Sequence, residues 1–239
     1  MRKSYKFIAL AFIVSAAMQS QATIIMDQIG ANPADMTGAG SASQEFEASF
    51  AAYQIGAIDD FNTTSAANII NVDVVMLGYG ASFTANSWNQ IRGFNVDVYS
   101  SVAAGAANLI GDQGHVVVLP NAVTFQDPYY PPGFLNRIYH IPVNIAIGAG
   151  NHWIGIRPQM DFTGNGQTGI LQSTYAAGFP NGSNGMQINP GLGFGLGNPI
   201  ATNANLAYRI NANLVPEPVS MIALGAGALA LVRRRRNKS

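Results

Sequence analysis

Ile70-Asn71-Val72-Asp73-Val74-Val75-Met76 is the stretch whose reading decides the fold class of this chain. Its apolar residues Ile70, Val72, Val74 and Met76 recur at every second position, against Asn71, Asp73 and Val75 between them. A period of two sends alternate side chains to opposite faces of an extended strand, whereas a helix needs spacings of three and four. The alternation returns at Phe94, Val96 and Val98, along Tyr139, Ile141, Val143 and Ile145, and in Tyr208, Ile210, Ala212 and Leu214 against Arg209, Asn211 and Asn213. Half-buried strands of an antiparallel sheet have this pattern. Asp127 to Gly133, Gly164 to Gly169 and Gly178 to Asn198 are rich in Gly, Asn and Pro and read as turns and loops, and Gly148-Ala149-Gly150 reads as a hairpin connection. No helix-period segment of useful length separates the strands. The expected fold is all-β: a two-sheet antiparallel β-sandwich, jelly-roll-like, spanning 23–214 as one domain.

Both ends read differently. Arg2, Lys3 and Lys6 precede an apolar stretch from Phe7 to Ala17, and Ser20-Gln21-Ala22 supplies a small-x-small cleavage site, so 1–22 reads as a secretory signal peptide. At the other end, Val215-Pro216-Glu217-Pro218 leads into the apolar run 219–232, closed by Arg233, Arg234, Arg235 and Arg236 within a basic tail, 233–239. As a transmembrane helix the run covers ~21 Å at ~1.5 Å per residue, short of a ~30 Å hydrocarbon core, so it is a weak anchor helped by arginine snorkelling. The Arg cluster should stay on the cytoplasmic side and hold everything before Val219 outside. The competing reading, a buried core helix, would press four consecutive arginines against the domain it completes. Pro216 and Pro218 disfavour helix around Glu217 and leave an extended segment that an enzyme can reach.

Pro216-Glu217-Pro218, the short apolar helix and the terminal Arg cluster resemble the PEP-CTERM sorting signal of Gram-negative bacteria. The resemblance implies that a membrane-embedded exosortase is the partner, that it recognises Pro216, Glu217 and Pro218 and removes the tail, and that the product goes from the inner membrane to the cell surface or an exopolysaccharide matrix. The catalytic residues would belong to the exosortase. Asp27-Gln28, Ala57 to Phe61, Gly93 to Tyr99, Gly148 to Ile156 and Leu206 to Ile210 are similar in order and spacing to the β-sandwich common among PEP-CTERM ectodomains, although Gly169 to Ser173 lacks the aromatic-rich strand often found there.

The formal net charge of zero hides an asymmetry. Eight of the twelve basic residues sit in the two end segments; Arg92, Arg137, Arg157 and Arg209 alone face the twelve acids, which leaves 23–218 at −8. An acidic surface argues against a nucleic-acid or anionic-membrane partner. The chain has no Cys, so neither disulfides nor thiolate chemistry enter, and stability must come from the core.

Chemistry-bearing residues are few. Asp59 and Asp60, with Asp73 or Asp97, offer the oxygen ligands that calcium takes, against the plainer reading that aspartates at a strand end accept turn amides. Adjacent strand residues face opposite ways, so Asp59 and Asp60 cannot both address one glycosidic bond. His115, His140 and His152 match no zinc spacing, no Gly-x-Ser-x-Gly elbow is present, and Gly193 to Gly197 lacks the strand-to-helix context of a phosphate loop. Trp88, Tyr129, Tyr130 and Trp153 could stack on sugar rings, though aromatics more often fill cores. The sequence therefore suggests a non-enzymatic surface or matrix protein with a structural or adhesive role. A carbohydrate-binding module and a secreted hydrolase are the alternatives.

Overall fold

The computed structural model describes residues 22–31, 35–127, 135–175 and 183–215. The segment read as a signal peptide, up to Gln21, the segment read as a sorting motif with its apolar run and arginines, and Tyr129 and Tyr130 lie outside the described residues. Two antiparallel sheets make up the fold. The first is built on β4 (Ala67–Tyr79), flanked on one edge by β8 (Asn136–Ile147), which carries β7 (Thr124–Gln126). Its other edge takes β14 (Tyr208–Leu214) and then β10 (Gln167–Ser173). Beyond β14 lies β1 (Ala22–Asp27), while β2 (Met36–Ala42) and β13 (Asn205–Leu206) pair with β10. The second sheet runs in the order β12 (Ile200–Ala201), β11 (Met186–Ile188), β3 (Gly56–Thr63), β9 (Gly150–Gln159), β5 (Gly93–Tyr99), β6 (Gly114–Val118).

The inner faces of the sheets supply one core. Val72, Val74, Met76, Tyr139, Ile141, Tyr208 and Ile210 come from the first sheet, and Phe61, Phe94, Val96, Val98, Ile154 and Ile156 from the second. Apart from Phe61, Ile154 and Ile156, these are apolar positions of the period-two pattern, as burying one face of each sheet requires. The hairpin at 148–150 is present, with Gly150 at φ +128°, a conformation that only Gly adopts freely.

One residue of the opening stretch departs from its expected side. Ile69 is fully buried in the core, and Ile70 is only partly buried. A β-bulge is the cause. Against β14, Ala212 pairs with Ile69 and the next residue, Asn211, pairs with Asn71, so Ile70 is the extra residue. A bulge places two neighbours on one side and restores alternation beyond it. Val72, Val74 and Met76 therefore keep their inward places.

Segments read as loops also contain strands: Gln167 to Gly169 begins β10, and Met186–Ile188 is β11. Their glycines hid them. One short helix, α1 (Val102–Ala107), lies on the outer face of the second sheet, its Ser101 hydroxyl accepting from the Ala104 amide at 3.1 Å. Gly105 permits the close approach, since a Cβ there would meet Ile188 Cδ1 at 3.0 Å and Ile58 Cδ1 at 3.3 Å. Among the described residues no helix is long and apolar enough to cross a membrane.

Candidate functional site

Trp88 sits on a short 3-10 helix, Ala85–Gln90, whose start is fixed by a capping box between Thr84 and Ser87. This helix drops the indole into the end of the core, edge-on to Phe83 at 4.8 Å and to Tyr139 at 5.9 Å. Tyr139 on β8 and Phe94 on β5 pack with centroids 5.0 Å apart, and Phe125 on β7 packs against Tyr139 at 5.9 Å. Arg137, two residues before Tyr139 on β8, places its guanidinium 4.1 Å from the Phe125 ring centroid and 5.4 Å from that of Trp88. Asp127 holds this cation, with Arg137 Nε 2.7 Å from both carboxylate oxygens and Nη2 2.7 Å from Oδ2. Trp88, Phe94, Phe125, Arg137 and Tyr139 line a cleft of about 230 Å³.

The cleft is apolar walled but not apolar throughout. The Tyr139 hydroxyl is buried beside the Arg137 side chain. Burial pushes its pKa up to about 12, a side-chain hydrogen bond from Arg137 and then the Arg137 charge opposing part of the effect, so it stays un-ionised. Phe125 is 52% exposed, and the Asn89 amide stands at the rim. An exposed ring and a committed cation converge here.

A second cleft, about 360 Å³, opens over Arg157 between Glu45, Gln54, Leu109 and Pro190. Arg157 is buried on the outer face of the second sheet and is held by Asp97 at 3.1 Å, by Glu45 at 3.3 Å and by the Leu109 carbonyl at 3.0 Å. Asp97 also receives the Gly111 amide at 3.0 Å and meets His115 Nδ1 at 2.7 Å. Glu45 further accepts from the Asn95 amide at 2.6 Å. Both carboxylates thus serve to hold a buried cation, a supporting arrangement.

The structure separates the other residues singled out in the sequence. Asp59 faces the core, accepting the Leu206 amide at 2.6 Å and the Asp60 amide at 2.9 Å, whereas Asp60 faces outward and accepts the Ser183 amide at 3.3 Å. Among the described residues no three His, Asp or Glu side chains gather as a metal-holding group. His115 meets Asp97, His140 meets Asp73 at 2.8 Å and His152 meets the Gly148 carbonyl at 3.0 Å. Trp153 packs half-buried beside Ile58, Tyr99 and Ile188 on the outer face of the second sheet, while Trp88 lies between the sheets, so the two tryptophans form no common platform. Gly193 to Gly197 is a loop, pinned by the Gly193 amide to the Ala52 carbonyl at 2.9 Å.

Sequence reading placed Trp88 among the candidates but missed Phe125, Arg137 and Tyr139. The available signal was Arg137 two residues from Tyr139, which puts a scarce cation and an aromatic on one strand face. No protein-family model matches the chain, and no curated protein matches it.

Proposed function

We propose that this chain is exported, held in the inner membrane by its C-terminal segment, cut by an exosortase-type enzyme, and deployed at the cell surface or in an exopolysaccharide matrix of a Gram-negative bacterium. Its role there is structural or adhesive, with no catalysis of its own. One observation carries the reading: Pro216-Glu217-Pro218, the apolar run 219–232 and Arg233 to Arg236 follow one another in the order that the PEP-CTERM resemblance requires. In this reading the two sheets form the jelly-roll-like sandwich of such ectodomains, and 219–232 is the membrane helix.

The fold's geometry is compatible with processing at both ends. β14 stops at Leu214, the Val215 amide donates to the Ala66 carbonyl at 2.8 Å, and Val215 is 50% exposed, so the strand ends immediately before the motif. Ala22 pairs with Asn213, which brings the signal cleavage point and the start of the sorting segment to one end of the first sheet.

Mass spectrometry of the protein recovered from the cell surface tests this. The expected mature species begins near Thr23 and lacks Arg233 to Arg236, and alanine at Pro216, Glu217 and Pro218 should leave full-length tail in the membrane fraction. Surface protein retaining Arg233 to Arg236 overturns the reading.

A further inference from the structure

We propose that Asn62 is an N-glycosylation site whose side-chain amide accepts an oligosaccharide from a polyprenyl-diphosphate carrier in the membrane. Three asparagines stand in the order Asn-x-Ser/Thr with no proline between: Asn62-Thr63-Thr64, Asn181-Gly182-Ser183 and Asn237-Lys238-Ser239. Such triplets arise by chance in an asparagine-rich chain, so their surroundings decide. Asn237 belongs to the basic tail that the sorting reading keeps in the cytoplasm, and Asn181 lies outside the described residues.

At Asn62 the fold turns outward the two side chains that a transferase needs. β3 ends at Thr63, and Thr64, Ser65 and Ala66 carry the chain across to β4 in the other sheet. Asn62 and Thr64 are exposed, whereas Phe61 and Thr63 are buried, the Thr63 hydroxyl donating to the Ser65 carbonyl at 2.7 Å. Asn62 Nδ2 donates to Asn151 Oδ1 at 2.5 Å, an exposed bond that water can replace when an enzyme takes the amide. Asp60 shares the outer strand face with Asn62, and of the three asparagines Asn62 alone has an acid two residues before it; Phe179 and Arg235 stand there in the others. A carboxylate at that place offers an arginine of the transferase a charge-assisted contact that sets the register. Half-buried Trp153 pairs with Asp60 and is thus a diagonal neighbour of Asn62, at the ~7–8 Å from which an aromatic ring can reach a first sugar.

Position in the fold supplies the donor. The Ala66 carbonyl accepts the Val215 amide at 2.8 Å, so the connection that follows Asn62 is tied to the point where the C-terminal segment leaves the sheet. From Val215 to Val219, where the apolar run starts, the chain reaches at most ~14 Å. The inference rests on the export and anchoring proposed above: in that reading the uncut chain holds Asn62 at the membrane-proximal end of the domain, where a lipid-carried glycan is presented. The transfer balances without an oxidant or reductant. Asn62 Nδ2 bonds to the anomeric carbon, the bond from that carbon to the diphosphate oxygen breaks, the lipid diphosphate leaves with the electron pair, and one amide proton passes to a base on the transferase.

Peptide mass spectrometry of the full chain, recovered from the membrane and surface fractions of the producing cells, tests this. The expected result is a glycan mass located on Asn62 in both fractions, since transfer precedes removal of the tail. Asn62→Gln and Thr64→Ala should abolish it, Thr64→Ser should retain it, and Asp60→Asn should lower occupancy about tenfold. Thr64 is exposed in a connection, so its two variants should keep the wild-type circular dichroism and differ only in the hydroxyl. Unmodified Asn62 in surface protein that has lost Arg233 to Arg236 overturns this proposal and leaves the sorting reading standing. Glycan on Asn62 of surface protein that keeps those arginines supports this proposal and overturns the cut. Unmodified Asn62 in a chain that keeps both 1–22 and its tail overturns both, and a glycan that persists in Asn62→Gln or Thr64→Ala overturns the assignment.

Discussion

Ala57 and Ile156 stand opposite one another on β3 and β9, just past Ile58 and Gly155 where the ladder pairing ends, and two hydroxyls bridge the gap between them. The Ser43 hydroxyl donates to the Ile156 carbonyl at 2.6 Å and accepts the Ala57 amide at 3.2 Å. The Tyr208 hydroxyl donates to the Ala57 carbonyl at 2.8 Å and accepts the Ile156 amide at 3.2 Å. Tyr208 belongs to the other sheet, so one side chain both completes the ladder of the second sheet and ties it to β14.

Removing that hydroxyl with Tyr208→Phe leaves a buried carbonyl and amide each short of a partner. The expected loss is ~1–3 kcal/mol, read as a lower urea midpoint at unchanged slope. Ser43→Ala should behave alike. Because the two hydroxyls serve the same residue pair, the double variant is expected to deviate from the sum of the singles. Additive losses would show that the bridge is two independent contacts.

Alkaline pH should unfold the domain. Tyr208 is pushed well above the ordinary tyrosine pKa by burial, Tyr79 and Tyr99 are also raised chiefly by burial, and Tyr139 rises to about 12. A raised folded-state pKa means that the folded chain holds more protons than the unfolded one in the interval, so stability falls as pH rises. It is fully present below pH ~10, the unfolded value, and is lost progressively above it, toward 12 in the case of Tyr139. Urea midpoints across this interval should drop, with phenolate absorbance appearing together with unfolding. Tyr208→Phe should make the drop shallower. Phenolate absorbance developing in full while the protein stays folded would contradict the account.

The bulge on β4 makes neighbouring isoleucines unequal. Ile69→Ala removes a fully buried side chain and is expected to cost ~2–5 kcal/mol. Ile70→Ala, on the bulged and partly buried position, should cost less than about 1 kcal/mol. Thermal or urea denaturation of the pair decides it, and the reverse ranking would place Ile70 in the core.

Asp97→Ala is expected to be among the most damaging single changes. It strands Arg157, buried with Glu45 as its remaining carboxylate partner, and takes the acceptor from the Gly111 amide and His115. Breaking a buried pair from one side costs ~3–5 kcal/mol. Replacing Asp97 and Arg157 together by apolar residues of similar volume should recover part of that loss, and a double variant no better than Asp97→Ala would show that the ion pair is not the cause.

The strands carrying one clean apolar face were legible because burying that face leaves a period-two trace, as in Phe94 to Val98 and Tyr208 to Leu214. β10 and β11 were not, because Gly169 and the glycines around 185–197 carry no side chain to register in the pattern. Gly169 is there for lack of room: a Cβ would run into Tyr79 Cε2 and meet the Ser41 carbonyl at 2.6 Å. Ile70 looked inward because a bulge is invisible until its partner strand is known. The cleft was still less legible. Trp88, Phe125 and Arg137 come from three separate elements, and only sheet pairing decides that they meet, whereas Arg157 and Asp97 pair across sixty residues of sequence that carry no mark of it.

Among the described residues β1 finds its sole strand partner in β14, and β14 lies between β1 and β4 instead of at an edge. The first strand of the fold to be synthesised therefore has no ladder to join until the last one arrives. The sheet closes by insertion of its final segment, which carries the core side chains Tyr208, Ile210 and Ala212 with it. Contacts this distant in sequence form late and slowly. Any event that delays residues 208–214 keeps the hydrogen-bonding edges of β1 and β4 open together, and a chain stopped short of them loses the middle of its sheet.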